Sequence, residues 1–178
     1  MERVECVLAP DAVLPPCDAR IDELHRYWRS ISPGPGLLPG RQHFDPLAIP
    51  RLLRWLWLLD VQRDPLRFRY RLFGTEQVLI IGRDLTGKWI DEEFPGFVCT
   101  SAFAHFVAAA EHGKVCYRSG FPVLHVPKDF MKFERIFLPM AKNGRDVDML
   151  LALSLYRPTI QASAEPPAQQ RRAAAGAC

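Results

Sequence analysis

The chain has 178 residues, 48% hydrophobic and 24% charged, with 23 basic and 20 acidic side chains and a formal charge of +3. That is enough for one domain with a real core, and too balanced for a nucleic-acid binder, which concentrates positive charge. No apolar run approaches the about 18 residues of a membrane span, and the start Met1-Glu2-Arg3-Val4-Glu5-Cys6 lacks the apolar stretch of a secretory signal.

Residues 1–17 carry three prolines and no period, which predicts a flexible lead-in. Asp18 is placed to cap a helix running to about Ile31, on which Ile21, Leu24, Trp28 and Ile31 form one apolar stripe. Asp22 and Glu23 fall in its first turn, where the helix dipole favours negative charge. Ser32-Pro33-Gly34-Pro35-Gly36 ends it. A loop over Leu37–Asp45 leads to Pro46 and a short helix to about Leu53, completing an N-terminal helical extension over 18–53.

Trp55–Val61 is apolar on both faces and reads as a strand. Gln62-Arg63-Asp64-Pro65 has turn chemistry. Phe68–Gly74 then alternates, with Phe68, Tyr70 and Leu72 against Arg69 and Arg71. Glu76–Ile81 predicts a helical turn, and Cys99–Glu111 a longer helix with Phe103, Phe106, Val107 and Ala110 on one side and Gly113 as its stop. Val115–Leu124, Phe133–Ala141 and Val147–Tyr156 read as strands, the last pair turning at Asn143-Gly144. After Pro158 the Ala-, Pro-, Gln- and Arg-rich composition predicts a disordered tail over 158–178. The first and last strands are apolar on both faces, as strands covered on both sides are, so they are expected to be central and adjacent. The mid-chain helices would cover one face. The Ile21/Leu24/Trp28/Ile31 stripe, or a partner subunit, would cover the other.

This predicts an α+β fold: a five-stranded antiparallel sheet with helices between its second and third strands. It resembles the PAS fold. Tyr27-Trp28, Gly40-Arg41, Phe44-Asp45-Pro46, Leu58-Leu59-Asp60-Val61, Phe68–Thr75, Gly82–Gly87, Glu134-Arg135 with Leu138-Pro139, and Gly144-Arg145 before Val147–Leu150 are similar, as an ordered set, to a bacterial PAS-like family common in alphaproteobacteria. The likeness spans about residues 22–157 and makes 54–157 the PAS-like domain. It implies a sensory or regulatory module and carries no agreed catalytic residues. With no kinase, cyclase or helix-turn-helix segment recognised after it, the module is expected to act through a partner, a ligand or self-association.

Other chemistry is weakly signalled. Gly82–Lys88 matches a phosphate loop without its final hydroxyl, but Trp89 follows and Asp84 would oppose a phosphate, so a glycine-bounded connector is expected. His105 stands where some PAS proteins ligate haem, yet a lone helical histidine is more often structural. His25, His43, His105, His112 and His125 show no metal spacing. Cys99 at a helix start is a candidate redox thiol. The five cysteines, Cys6, Cys17, Cys99, Cys116 and Cys178, lack flavin-photosensor context and disulfide spacing, which predicts reduced thiols in a cytoplasmic protein. Ser101 and Ser119 have no recognisable triad context. An Arg41–Asp45 ion pair is expected to fix the loop before the domain.

Two classes of function follow. One is a cytoplasmic signalling module that binds a protein partner, or forms a homodimer through Ile21, Leu24, Trp28 and Ile31. The other is a small-molecule or cofactor sensor using the cleft between sheet and helices, with Tyr70, Phe103, Phe106, Tyr117, Glu134 and Arg135 as cleft candidates. Glu134 and Arg135 are neighbours on a strand and must point to opposite faces. The one facing the helices would meet a ligand or pair with Arg69 or Arg71. No catalytic set, metal or particular cofactor is indicated, and no enzyme is expected.

Overall fold

The computed structural model describes residues 4–121 and 131–158. Among them six strands, β1 (Val4–Leu8), β2 (Leu56–Gln62), β3 (Arg67–Phe73), β4 (Val115–Gly120), β5 (Met131–Met140) and β6 (Met149–Pro158), form one antiparallel sheet ordered β1-β4-β5-β6-β2-β3. The helices are α1 (Ala19–Ser30), α2 (Thr75–Ile81), the single turn α3 (Ile90–Glu93) and α4 (Ser101–His112).

The doubly apolar strands β2 and β6 are neighbours, pairing Leu58 with Leu151 and Leu59 with Leu150. All four residues are buried, the condition that strands of this composition require. On β3, Phe68 and Tyr70 turn inward while Arg69 and Arg71 stay in solvent and reach Asp60 at 2.9 and 3.3 Å.

The sheet has a sixth strand where a flexible lead-in was expected. Val4, Cys6 and Leu8 half-bury one face of β1 while Glu5 and Val7 stay exposed, a strand's alternation in a segment too short to show it clearly. β1 pairs with the outer edge of β4, Val4 to Ser119 through Leu8 to Val115, so that edge's backbone groups find partners. The turn at Asn143-Gly144 is also looser than a two-residue hairpin: β5 ends at Met140 and β6 starts at Met149 rather than Val147. Asn143 Oδ1 accepts from the Arg145 and Asp146 amides at 3.0 and 2.9 Å and organises the longer loop. The predicted strand end at 122–124 and the tail from 159 lie outside the described residues.

The Asp18 carboxylate accepts from the Arg20 amide at 2.9 Å and caps α1 as expected. Ile21, Leu24 and Trp28 are buried, and Trp28 Nε1 donates to the Pro139 carbonyl at 3.0 Å. Ile31 is half-buried against the same core. The stripe is therefore the intramolecular cover of one sheet face. Its assignment as a dimer surface is corrected: an apolar side chain already removed from water by its own chain has no further burial to gain from a partner. Gly74 marks a close backbone approach, where a Cβ would lie 2.4 Å from the Leu56 carbonyl oxygen.

Candidate functional site

The face under α2, α3 and α4 carries a polar row between two aromatic ones. Register sets Arg118 opposite Arg135, and Arg135 opposite Ser154, across β4, β5 and β6. On one side of this row Phe133 stands against Tyr156; on the other Phe137 stands against Ala152, which faces Trp57. Phe106 of α4 closes over the row, its ring 4.5 Å from that of Phe137 and 6.4 Å from that of Trp57. A cleft of about 60 Å³ remains there, lined among others by Trp57, Tyr70, Phe106, Arg118, Arg135 and Ser154.

Two guanidiniums thus face one small cavity, and their surroundings differ. Arg118 lies with Nε 2.6 Å from Glu5 Oε1, an ion pair reaching from the cleft wall to β1. Arg135 is 8% exposed, and its Nη2 has no hydrogen-bond acceptor among the described residues. Its guanidinium instead lies 4.3, 5.4 and 5.8 Å from the rings of Phe137, Phe106 and Phe133. Burial pulls the Arg135 pKa down to about 10, so the group still holds its charge at neutral pH. Burial likewise pushes the Tyr70 and Tyr156 phenols up, keeping both as neutral hydroxyls. Aromatic rings recover part of the desolvation of a buried cation, about 2 kcal/mol or more for a desolvated contact, against several kcal/mol for an ion removed from water.

The polar groups nearby are positioned tightly. Trp57 Nε1 donates to Ser154 Oγ at 3.0 Å, and Gln77 Nε2 bridges the carbonyls of Trp55 and Ser154 at 3.1 and 2.8 Å. These bonds tie α2 to the floor of the cleft, since Gln77 is the buried residue of that helix.

The six cleft candidates do not form one site. Tyr70, Phe106 and Arg135 come together in it. Phe103 is displaced to a neighbouring cluster, 5.3 Å from Phe97 and 6.3 Å from Phe68. Tyr117 and Glu134 lie on the opposite face, where the Tyr117 hydroxyl donates to Glu134 Oε2 at 3.3 Å. That carboxylate accepts from the Asp18 amide at 2.9 Å and sits 3.6 Å from Arg157. Glu134 therefore anchors the start of α1 and neither meets a ligand in the cleft nor pairs with Arg69 or Arg71, which belong to Asp60. Sequence reasoning missed Arg118, Trp57, Ser154 and Tyr156 as cleft residues. The available signal was parity: Arg118 and Arg135 both interrupt apolar strands near their middles.

The remaining candidates resolve into local structure. Gly82 and Gly87 take φ of 84° and 82° and bound a connector, in which Asp84 Oδ1 accepts from the Thr86 amide at 2.9 Å. Arg41 donates to the Phe44 carbonyl at 3.0 Å while Asp45 accepts from the Leu47 amide at 2.9 Å. The expected Arg41–Asp45 ion pair is thus replaced by two caps. Cys99 is exposed and sits in a 3-10 turn before α4, which starts two residues later, so it does not occupy the helix start. His105 is buried on α4, and its carbonyl accepts from the Cys116 thiol at 3.4 Å.

Two wider hollows, about 430 and 560 Å³, lie at loop surfaces around Pro35–Pro39 and around Gly113 with Gly144–Val147. Neither is lined by a residue with a buried unpartnered nitrogen or oxygen among the described residues. Among those residues no group of three histidine, cysteine or acidic side chains is placed to hold a metal ion, and no helix is long and apolar enough to cross a membrane.

Residues 18–154, most of the chain, match a family model described as PAS domain. No curated protein and no solved structure matches.

Proposed function

Because this chain belongs to the PAS domain family, a family of sensory and regulatory modules, we propose that it is a sensor whose cleft takes up a small molecule and whose occupancy is passed to a protein partner. One observation carries this proposal: the space between sheet and helices is a preformed hollow with polar groups, Arg135 and Ser154, converging on it from an otherwise aromatic wall. Small-molecule sites have this composition, mostly apolar with a few placed polar groups. A side-chain-filled core would leave no cavity, and would leave no buried guanidinium nitrogen without an acceptor as Arg135 Nη2 is among the described residues.

The module works by binding rather than turnover, and in the cytosol, where Cys6, Cys17, Cys99 and Cys116 stay as thiols. A route outward exists in the Arg118–Glu5 pair, which connects the cleft wall to the edge strand β1. Self-association through α1 is disfavoured, because Ile21, Leu24 and Trp28 would have to leave their own core.

Native mass spectrometry of freshly purified protein, with an absorbance spectrum from about 300 to 700 nm, tests for a retained occupant. A fragment panel of acids, bases and neutral compounds read by NMR tests for an exchanging one. An added mass, or shifts confined to residues around Tyr70, Phe106 and Arg135, supports the sensor. A bare mass and a silent panel overturn it and leave protein docking as the function.

A further inference from the structure

We propose that the cleft is a receptor for a short-chain carboxylate, with the Arg135 guanidinium as its anchor. This rests on the cleft being a ligand site and adds what the ligand is.

Charge decides the sign. The cleft is lined by two guanidiniums, and Glu5 neutralises one of them, Arg118. Arg135 has Phe137, Phe106 and Phe133 around it and no acceptor for Nη2 among the described residues. Among the described residues one positive charge is left over, so the fitting ligand carries one negative charge. A guanidinium presents parallel N–H donors that match the two oxygens of a carboxylate. A phosphate dianion would need a second free cation, and a cation would meet like charge.

Size decides the chain. The cavity is about 60 Å³, and one water needs about 10–15 Å³ on that measure, so the ligand has roughly four to six non-hydrogen atoms. Position decides the polarity of the rest. Arg135 and Ser154 occupy the sheet side, whereas Phe73, Ile81, Phe94 and Phe106 make an apolar wall. The carboxylate lies against β5 and an alkyl or oxoalkyl end points toward the helices. Arg135 is then a cation held ready by its surroundings: the rings orient it, and the carboxylate supplies the acceptor that Nη2 lacks among the described residues.

Isothermal titration of the whole chain at pH 7 and low salt with propionate and butyrate, against propionamide and butyramide, tests this. The acids are expected to bind at least tenfold more tightly than the isosteric amides. Arg135→Met is expected to lose the acids by at least tenfold while keeping or raising its melting temperature, and Arg135→Lys, which keeps charge without the fork, to fall between. Equal binding of acids and amides, or full acid affinity in Arg135→Met, overturns the carboxylate assignment. Amines or neutral fragments binding in place of acids overturns it too, yet leaves a small-molecule sensor standing. A cleft silent to every class removes both. Should Arg135→Met fail to fold, the acid-to-amide ratio on the wild-type protein decides alone.

Discussion

Arg118 and Arg135 stand opposite each other on β4 and β5, and among the described residues only Arg118 meets a carboxylate, Glu5 at 2.6 Å. The asymmetry is a consequence of topology. β1 lies beside β4 and delivers Glu5 to the nearer guanidinium. Arg135, one strand further in, is flanked by β4 and β6, and the side chain opposite it on β6 is Ser154.

A buried cation whose Nη2 has no acceptor among the described residues, as Arg135 is, is a liability for folding. Arg135→Met keeps the length and apolar stem of the side chain and removes the charge. Thermal melting of the unliganded protein should show a stability equal to or above wild type, by up to about 2 kcal/mol, because the desolvation penalty exceeds what the rings return. A fall of that size would instead mark Arg135 as a structural cation.

Glu5→Gln should act in two directions. Stability should fall by about 1–3 kcal/mol as Arg118 loses its charged partner, a figure held down because Glu5 is itself 30% exposed. Affinity of the cleft for carboxylates should rise severalfold, since a second guanidinium becomes available. Calorimetry on the variant checks both, and unchanged affinity would separate Arg118 from the ligand.

Trp28→Ala tests the cover of the other sheet face. The indole is 2% exposed and bonded to the Pro139 carbonyl, so its removal should cost about 3–5 kcal/mol and bare apolar surface to a dye such as ANS. A variant that melts at the wild-type temperature would show that α1 is not part of the core.

His25 supplies a pH dependence. It is buried, stacked 6.1 Å from Trp28, and its Nε2 has no partner among the described residues. Burial, helped by Arg29, lowers its pKa below the ordinary 6.5. The folded state then binds fewer protons than the unfolded one, so stability is full above pH 6.5 and declines as pH falls through that value toward the folded pKa. Melting temperatures between about pH 8 and pH 5 should fall less steeply for His25→Gln than for wild type; parallel curves would assign the decline to other groups.

Much of the fold was legible because it is written in local periods. The 3-4 spacing of Ile21, Leu24 and Trp28 announces α1, and the alternation of Phe68 and Tyr70 with Arg69 and Arg71 announces which face of β3 is wet. β1 was missed because five residues hold too few alternations, and its partner β4 lies more than a hundred residues away. The site was harder for a related reason. Glu134 and Arg135 were correctly sent to opposite faces, but β4 and β5 are buried on both sides, so hydrophobicity does not say which face is which. A register shift of one residue exchanges them. That is why Tyr117 was placed in the cleft and Arg118 was not.

The central claim is that the cleft of this PAS domain is a carboxylate-binding site and not merely core. Its most direct test is a heteronuclear NMR titration of isotope-labelled wild-type protein with butyrate. Saturable shifts centred on Tyr70, Phe106, Arg118, Arg135 and Ser154, with the Arg135 side-chain resonance moving most, are the expected result. Shifts that do not saturate, or that fall on exposed lysines and arginines away from the cleft, would contradict it.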